Sequence, residues 1–179
     1  MLKITVPAFE AFDASNGLFL NVREQTLQLE HSLVSLSKWE SEWKKPFFSE
    51  KAKTTAELDD YIRCMTITQN VDPRTYRGIT REIRKLVLDY IEMPMTATTF
   101  SHETHPNRGE IVTAEIIYYW MIVNGIPFEC QKWHLSRLLT LIRVCGLKKQ
   151  APQKIPRSEA LASRRALNAA RRKKWNTRG

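Results

Sequence analysis

The spacing of apolar residues changes abruptly at Ser32, and this change limits the folds open to the chain. Before Ser32, from Lys3 onward, apolar and polar residues largely alternate, which is the period of a strand with one buried face. After it, apolar residues recur every three to four positions, with Leu33, Leu36 and Trp43 on one side of a predicted helix. The pattern predicts an α+β fold in which a strand-forming N-terminus packs on a mainly helical bundle.

The N-terminal alternation is interrupted by Asn16-Gly17. Both residues tolerate positive φ angles, so this dipeptide between β-prone flanks favours a tight hairpin turn. We predict two hairpin strands near residues 8–12 and 18–22, and a third short strand over residues 26–31.

The remaining body is predicted to be helical. A first helix ends before Pro46, and Thr54 with Glu57 has the spacing of a capping box that opens a second. Further helices are predicted from Thr80, over 113–124 with Gly125 as terminator, and from Pro127 to Gly146. Because the last two are joined by a short turn, we expect them to pair as a helical hairpin at the centre of the core. Residues 70–78 and 95–109 are predicted loops, the second with an optional short strand over 96–100.

The positive charge is concentrated at the C-terminal end. The formal net charge is +9, yet residues 148–179 hold eleven of the 28 basic residues and only one acidic residue, Glu159. Residues 1–147 are therefore close to neutral. This division predicts a single globular α+β domain over 1–147, followed by a basic linker and a C-terminal helical tail over 148–179.

The cysteine content and the hydropathy pattern favour a reducing, aqueous compartment. Cys64, Cys130 and Cys145 form no CxxC pair, so a disulfide framework is not expected. The N-terminus lacks the pattern of a signal peptide, and the longest apolar run, 116–123, is too short to span a bilayer. We expect a cytoplasmic protein that does not bind membranes.

Two clusters invite a chemical interpretation. The imidazole and carboxylate side chains of His102, Glu103, His105 and Glu110 could ligate a metal, but they lie in a predicted loop without the helical HExxH spacing, so no metal is expected. Cys130 and His134 are predicted to share one helix face, as a thiol and a base would, but core packing is the favoured interpretation. Since phosphate loops, dinucleotide fingerprints and nucleophile elbows are also lacking, we predict no enzymatic activity and no cofactor.

Aromatic pairs and the tail are the candidate binding elements. Trp39 with Trp43, and Tyr118 with Tyr119, have the chemistry of base-stacking platforms, although burial in amphipathic helices is favoured. A protein-binding patch on the exposed edge of such a helix stays open. The candidate partner-binding residues lie in the tail, where two basic clusters seven positions apart project from one side of a helix: Arg164, Arg165, Arg171, Arg172, Lys173, Lys174 and the adjacent Trp175. Such a stripe suits phosphates or an acidic protein surface, and the plain alternative is a solvated tail.

Four segments of the chain carry a resemblance to a known family. Residues 26–47, 61–73 and 115–145, together with the ending ALNAARRKKWNTRG, resemble a family of tailed-phage, siphovirus-like proteins from Gram-positive hosts. The resemblance implies a tail assembly chaperone, a viral protein of virion morphogenesis that binds the tape-measure protein in the host cytoplasm.

Two alternatives stay open. One is a virion structural component, either a head–tail connector or a tail-tube associated protein. The other is a nucleic-acid-binding protein that uses the arginine-rich tail.

Overall fold

A computed structural model describes residues 1–13, 17–49, 52–98, 111–149 and 157–175. The predicted α+β class is confirmed. Residue contacts divide the chain into two compact units, Met1–Cys145 and Gly146–Gly179. The predicted domain boundary at residue 147 lies close to this division, and separate folding of the two parts stays a prediction.

Four strands form two antiparallel pairs at the N-terminus. β2 (Phe9–Asp13) and β3 (Leu18–Val22) form the predicted hairpin, and Gly17 has a positive φ of 67° in its turn. β1 (Leu2–Val6) pairs with β4 (Gln25–Leu29), and these two strands come directly before and after the hairpin in the sequence. β4 was predicted, whereas β1 was not, because its partner lies some twenty residues further along and no turn signal joins them.

The helices follow in chain order: α1 (Leu33–Trp43), α2 (Thr55–Met65), a 3-10 helix (Pro73–Gly78), α3 (Arg81–Glu92), α4 (Ala114–Asn124), a second 3-10 helix (Phe128–Lys132), α5 (Leu135–Lys149) and α6 (Arg157–Trp175).

Thr54 and Glu57 form the predicted capping box, and Gly125 ends α4 with a φ of 66°. The predicted loop over 70–78 contains the first 3-10 helix. Of the optional strand over 96–100, residues 96–98 are not strand and the rest lies outside the described residues.

The core is organised around α1, which packs against α2, α4 and the second 3-10 helix. Leu33, Leu36 and Trp39 of α1 are almost inaccessible to solvent, and they join buried side chains from β1, β4 and α2 in one cluster. The Trp39 indole N–H donates to the Glu57 carbonyl at 2.9 Å, which fixes α2 against this face.

Two expectations about the C-terminal helices of the body were wrong. The pair α4 and α5 was expected at the centre of the core, but the second 3-10 helix separates the two, and only Leu135 and Leu138 of α5 are fully buried. Gly146 was expected to end α5, which continues to Lys149. A glycine favours termination only where the chain turns into positive φ, and Gly146 has no such angle.

Glu40 joins three segments of the body through one buried carboxylate. Its Oε1 accepts the backbone N–H of Phe47 at 2.7 Å, and its Oε2 accepts the N–H of Ala114 at 2.7 Å. Thr113, the residue before α4, provides no side-chain cap. Glu40 therefore supplies the cap from another helix, with a negative charge at the positive end of the α4 dipole.

The Glu40→Ala substitution is expected to lower the free energy of unfolding by about 3 kcal/mol, because two buried backbone donors lose a charged acceptor. Urea denaturation followed by circular dichroism measures the change. Glu42→Ala is the matched control on the same helix, since Glu42 is exposed and its ion pair with Arg63 spans 3.4 Å. This control should change stability by about 0.5 kcal/mol or less. Equal effects of the two substitutions would contradict the assigned role of Glu40.

Candidate protein-binding surfaces

α4 buries one apolar face and exposes another that is apolar apart from Glu115. Ala114, Ile117 and Met121, spaced three and four residues apart, are completely buried. On other sides of the same helix, Tyr119 is 62% exposed and Ile122 is 63% exposed. A single surface helix in a globular protein normally presents polar residues to water, so this apolar exposure needs an explanation other than folding.

Three further large apolar side chains close to these two in the sequence are also exposed. We define the α4 patch as the exposed side chains Tyr119, Ile122 and Val123 of α4 together with Ile111 before the helix and Phe128 after it. The Phe128 ring lies 6.3 Å from the ring of half-buried Tyr118, whose hydroxyl donates to Gln131 at 2.8 Å. The turn after α4 is thereby held against the helix, which keeps the patch in a defined shape.

The tip of the β2–β3 hairpin carries further exposed apolar side chains. Phe12 and Phe19 face each other across the two strands, with ring centroids 5.2 Å apart, and Phe19 is 72% exposed. Neighbouring Leu18 is also exposed. The contact between the two rings stabilises the hairpin but removes only part of their surface from water.

The favoured interpretation of the aromatic pairs holds for the tryptophans and fails for one tyrosine. Trp39 is buried, and half-buried Trp43 stacks on it with ring centroids 6.1 Å apart while its indole N–H donates to Asp60. Tyr118 is half-buried, but Tyr119 is exposed. Sequence reasoning therefore left open a protein-binding patch on the exposed edge of such a helix but did not identify the residues of the α4 patch. The available signal was that α4 has apolar residues on every side and a single charged residue, Glu115, although a helix at a domain surface buries only one side.

Cys130 and His134 do not share a helix face. Cys130 lies in the second 3-10 helix, whereas His134 follows it in a backbone bridge with Ser32. Both side chains are buried, as core packing predicts. The His134 imidazole is held by Tyr90 and Ser136: Nε2 donates to the Tyr90 carbonyl at 3.2 Å, and Ser136 Oγ lies 2.9 Å from Nδ1.

His134 belongs to a buried polar network beneath β4. The His31 ring lies 5.2 Å from it, and His31 Nδ1 is 2.6 Å from the Tyr61 hydroxyl. The Tyr90 hydroxyl donates to Glu30, whose other oxygen pairs with the N-terminal ammonium at 3.0 Å. Burial, reinforced by His134, lowers the pKa of His31 to about 3, and burial also lowers the pKa of His134. Both imidazoles are therefore neutral at physiological pH.

The predicted partner-binding residues of the tail all lie on α6. Arg164, Arg165, Arg171, Arg172, Lys173, Lys174 and Trp175 are exposed. The cluster considered as metal ligands, His102, Glu103, His105 and Glu110, lies outside the described residues. Within the described ranges no group of three potential metal ligands occurs.

Comparisons with known proteins provide no relative: no family model, no curated protein and no solved structure matches the chain. Among the helices that the structure describes, none is both long and apolar enough to cross a membrane.

The two buried histidines predict a specific loss of stability in mild acid. Since their folded-state pKa values lie below the unfolded value near 6.5, the unfolded chain takes up protons first. The contribution of the two neutral histidines to the free energy of unfolding is complete above pH 6.5. It declines as the pH falls toward 3, by about 1.4 kcal/mol per pH unit for each proton that the unfolded chain takes up. Unfolding free energies measured between pH 6.5 and 5 test this, because hydrogen-bonded carboxylates respond mainly at lower pH.

His31→Gln retains a polar group near Tyr61 and removes the titration, so its stability should depend less on pH over the same range than that of the parent protein. A parent protein whose stability is constant between pH 6.5 and 5 would contradict the assignment.

Proposed function

We propose that the protein is a non-enzymatic tail assembly protein of a tailed phage. In this proposal it acts as a chaperone in the host cytoplasm and binds apolar helical segments of the tape-measure protein. The observation that carries the proposal is the α4 patch, an apolar surface on an otherwise well-packed body. The family resemblance of the sequence supports the choice of partner.

The chemistry of the α4 patch suits a helical partner. α4 has eleven residues and is therefore about 16 Å long, which equals three turns of a partner helix. Tyr119, Ile122 and Val123 can contact apolar residues of such a helix at positions i, i+3 or i+4, and i+7. Each large apolar side chain moved from water into the interface contributes about 1.5–3 kcal/mol. A few such contacts give reversible binding, which a chaperone needs in order to release its client.

A long tape-measure helix resembles α4 in one respect: it exposes apolar side chains to water before the tail is complete. Covering these two surfaces with each other removes both from water.

The double substitution Tyr119→Glu and Ile122→Glu is expected to abolish client binding, because it places two charges in the centre of the α4 patch without weakening helix propensity. The test is co-expression with the tape-measure protein of the same phage. At least a tenfold loss of soluble co-purified client is expected.

Leu86→Glu on α3 is the matched control, since Leu86 is an apolar side chain exposed to a similar degree, 48%, on another helix. It should leave co-purification unchanged, and circular dichroism should show that all variants are folded. Equal loss in the control, or full binding by the double variant, would overturn the proposal. Mass spectrometry of purified phage particles separates the two tail roles: a chaperone is missing from them, whereas stoichiometric presence would identify a structural component instead.

A further inference from the structure

α6 combines length, charge and exposure in a way that the chaperone proposal does not use. It is 19 residues long, or about 28 Å, and contains seven basic residues and one acidic residue. Arg164, Arg165, Arg171 and Arg172 are exposed, and none of them has an ion-pair or hydrogen-bond partner among the residues that the structure describes. Their charges are thus available to an external anion.

The four arginines form a regular array. Seven residues are almost two helical turns, so the pair Arg164 and Arg165 and the pair Arg171 and Arg172 lie on one side of α6, about 10 Å apart along its axis. Guanidinium groups bind phosphate through two parallel hydrogen bonds and keep their charge at all relevant pH values. A repeating array of phosphates matches this geometry better than scattered carboxylates do.

Much of the remaining surface of α6 is slim. Ala162, Ala166 and Ala169 lie about 100–160° around the helix from the centre of the arginine array, with Lys173 on the same side near the end of the helix, and all three alanines are exposed. A helix with side chains is about 10–12 Å across, and the major groove of B-form DNA is about 12 Å wide. The small alanine side chains keep the diameter of α6 near the lower end of the range of about 10–12 Å for helices, so that it fits the groove.

The apolar residues of α6 argue against a protein partner for this surface. Leu161 and Leu167 are both exposed and lie about 120° apart around the helix, so they form no continuous stripe. Strong protein interfaces centre on buried aromatic or aliphatic anchors, and the only aromatic side chain of α6, Trp175, is at its end.

We propose that α6 binds double-stranded DNA without sequence specificity, with its slim helix in the major groove and its four arginines on the flanking phosphates. A-form RNA does not fit, because its major groove is too narrow to admit a helix. The proposal is independent of the α4 patch and adds a second type of partner to the proposed function.

Fluorescence anisotropy of the full-length protein with a labelled 20-base-pair random duplex tests the proposal. The logarithm of the association constant should fall linearly with the logarithm of salt concentration between 50 and 200 mM. A slope of about −3.6 is expected, because each of the four contacted phosphates contributes about −0.9. The quadruple substitution of Arg164, Arg165, Arg171 and Arg172 by Gln should weaken binding at least 100-fold at 50 mM salt and flatten the slope.

Three controls make the result specific. Arg81→Gln with Lys85→Gln removes exposed charges from α3 and should retain DNA binding, as should the Tyr119→Glu and Ile122→Glu variant. Ala166→Pro breaks α6 without changing its charge and should weaken binding at least tenfold. Absence of binding at 50 mM salt, equal affinity for double-stranded RNA, or displacement by polyglutamate at the same charge concentration as competitor DNA would overturn the proposal.

Discussion

The body depends on the burial of α1. Its Leu33, Leu36 and Trp39 lie in the same cluster as the inner side chains of β1, β4 and α2, so the strand pair and the helices share one core rather than two. The polar edge of this helix is equally important. Glu40 extends from the buried face to the backbone of Phe47 and to the first residue of α4, and it positions both by charge-assisted hydrogen bonds. Hydrophobic burial thus places α1, and one carboxylate sets how α4 begins beside it.

Polar groups inside the body are consistently paired. Among the described residues, no buried side-chain nitrogen or oxygen lacks a hydrogen-bond partner. His31 and His134 are neutral members of a network that connects β4, α2, α3 and the start of α5, and the N-terminal ammonium is joined to it through Glu30. Because an unpaired buried group costs about 1–3 kcal/mol, this network specifies one arrangement of the elements as well as stabilising it.

The two surfaces proposed for binding differ in their physical chemistry. The α4 patch offers apolar area, whose contribution to binding changes little with moderate salt. The arginines of α6 offer charge, whose contribution falls steeply as salt increases. Each surface can therefore be tested under conditions that leave the other unaffected. A protein client and a DNA duplex are proposed as their partners, and neither surface requires a catalytic group.

The sequence by itself determined the local structure: the hairpin around Gly17, the Thr54 cap, the end of α4 at Gly125 and the basic character of α6 follow from backbone preferences and charges that act within a few residues. Strand β1, the central position of α1 and the cap of α4 by Glu40 needed the tertiary structure, because each joins residues far apart in the chain, as Glu40 and Ala114 show. The same holds for the α4 patch. α4 has apolar residues on every side, so its composition alone did not predict that Tyr119 and Ile122 face water, and packing against α1 left them exposed.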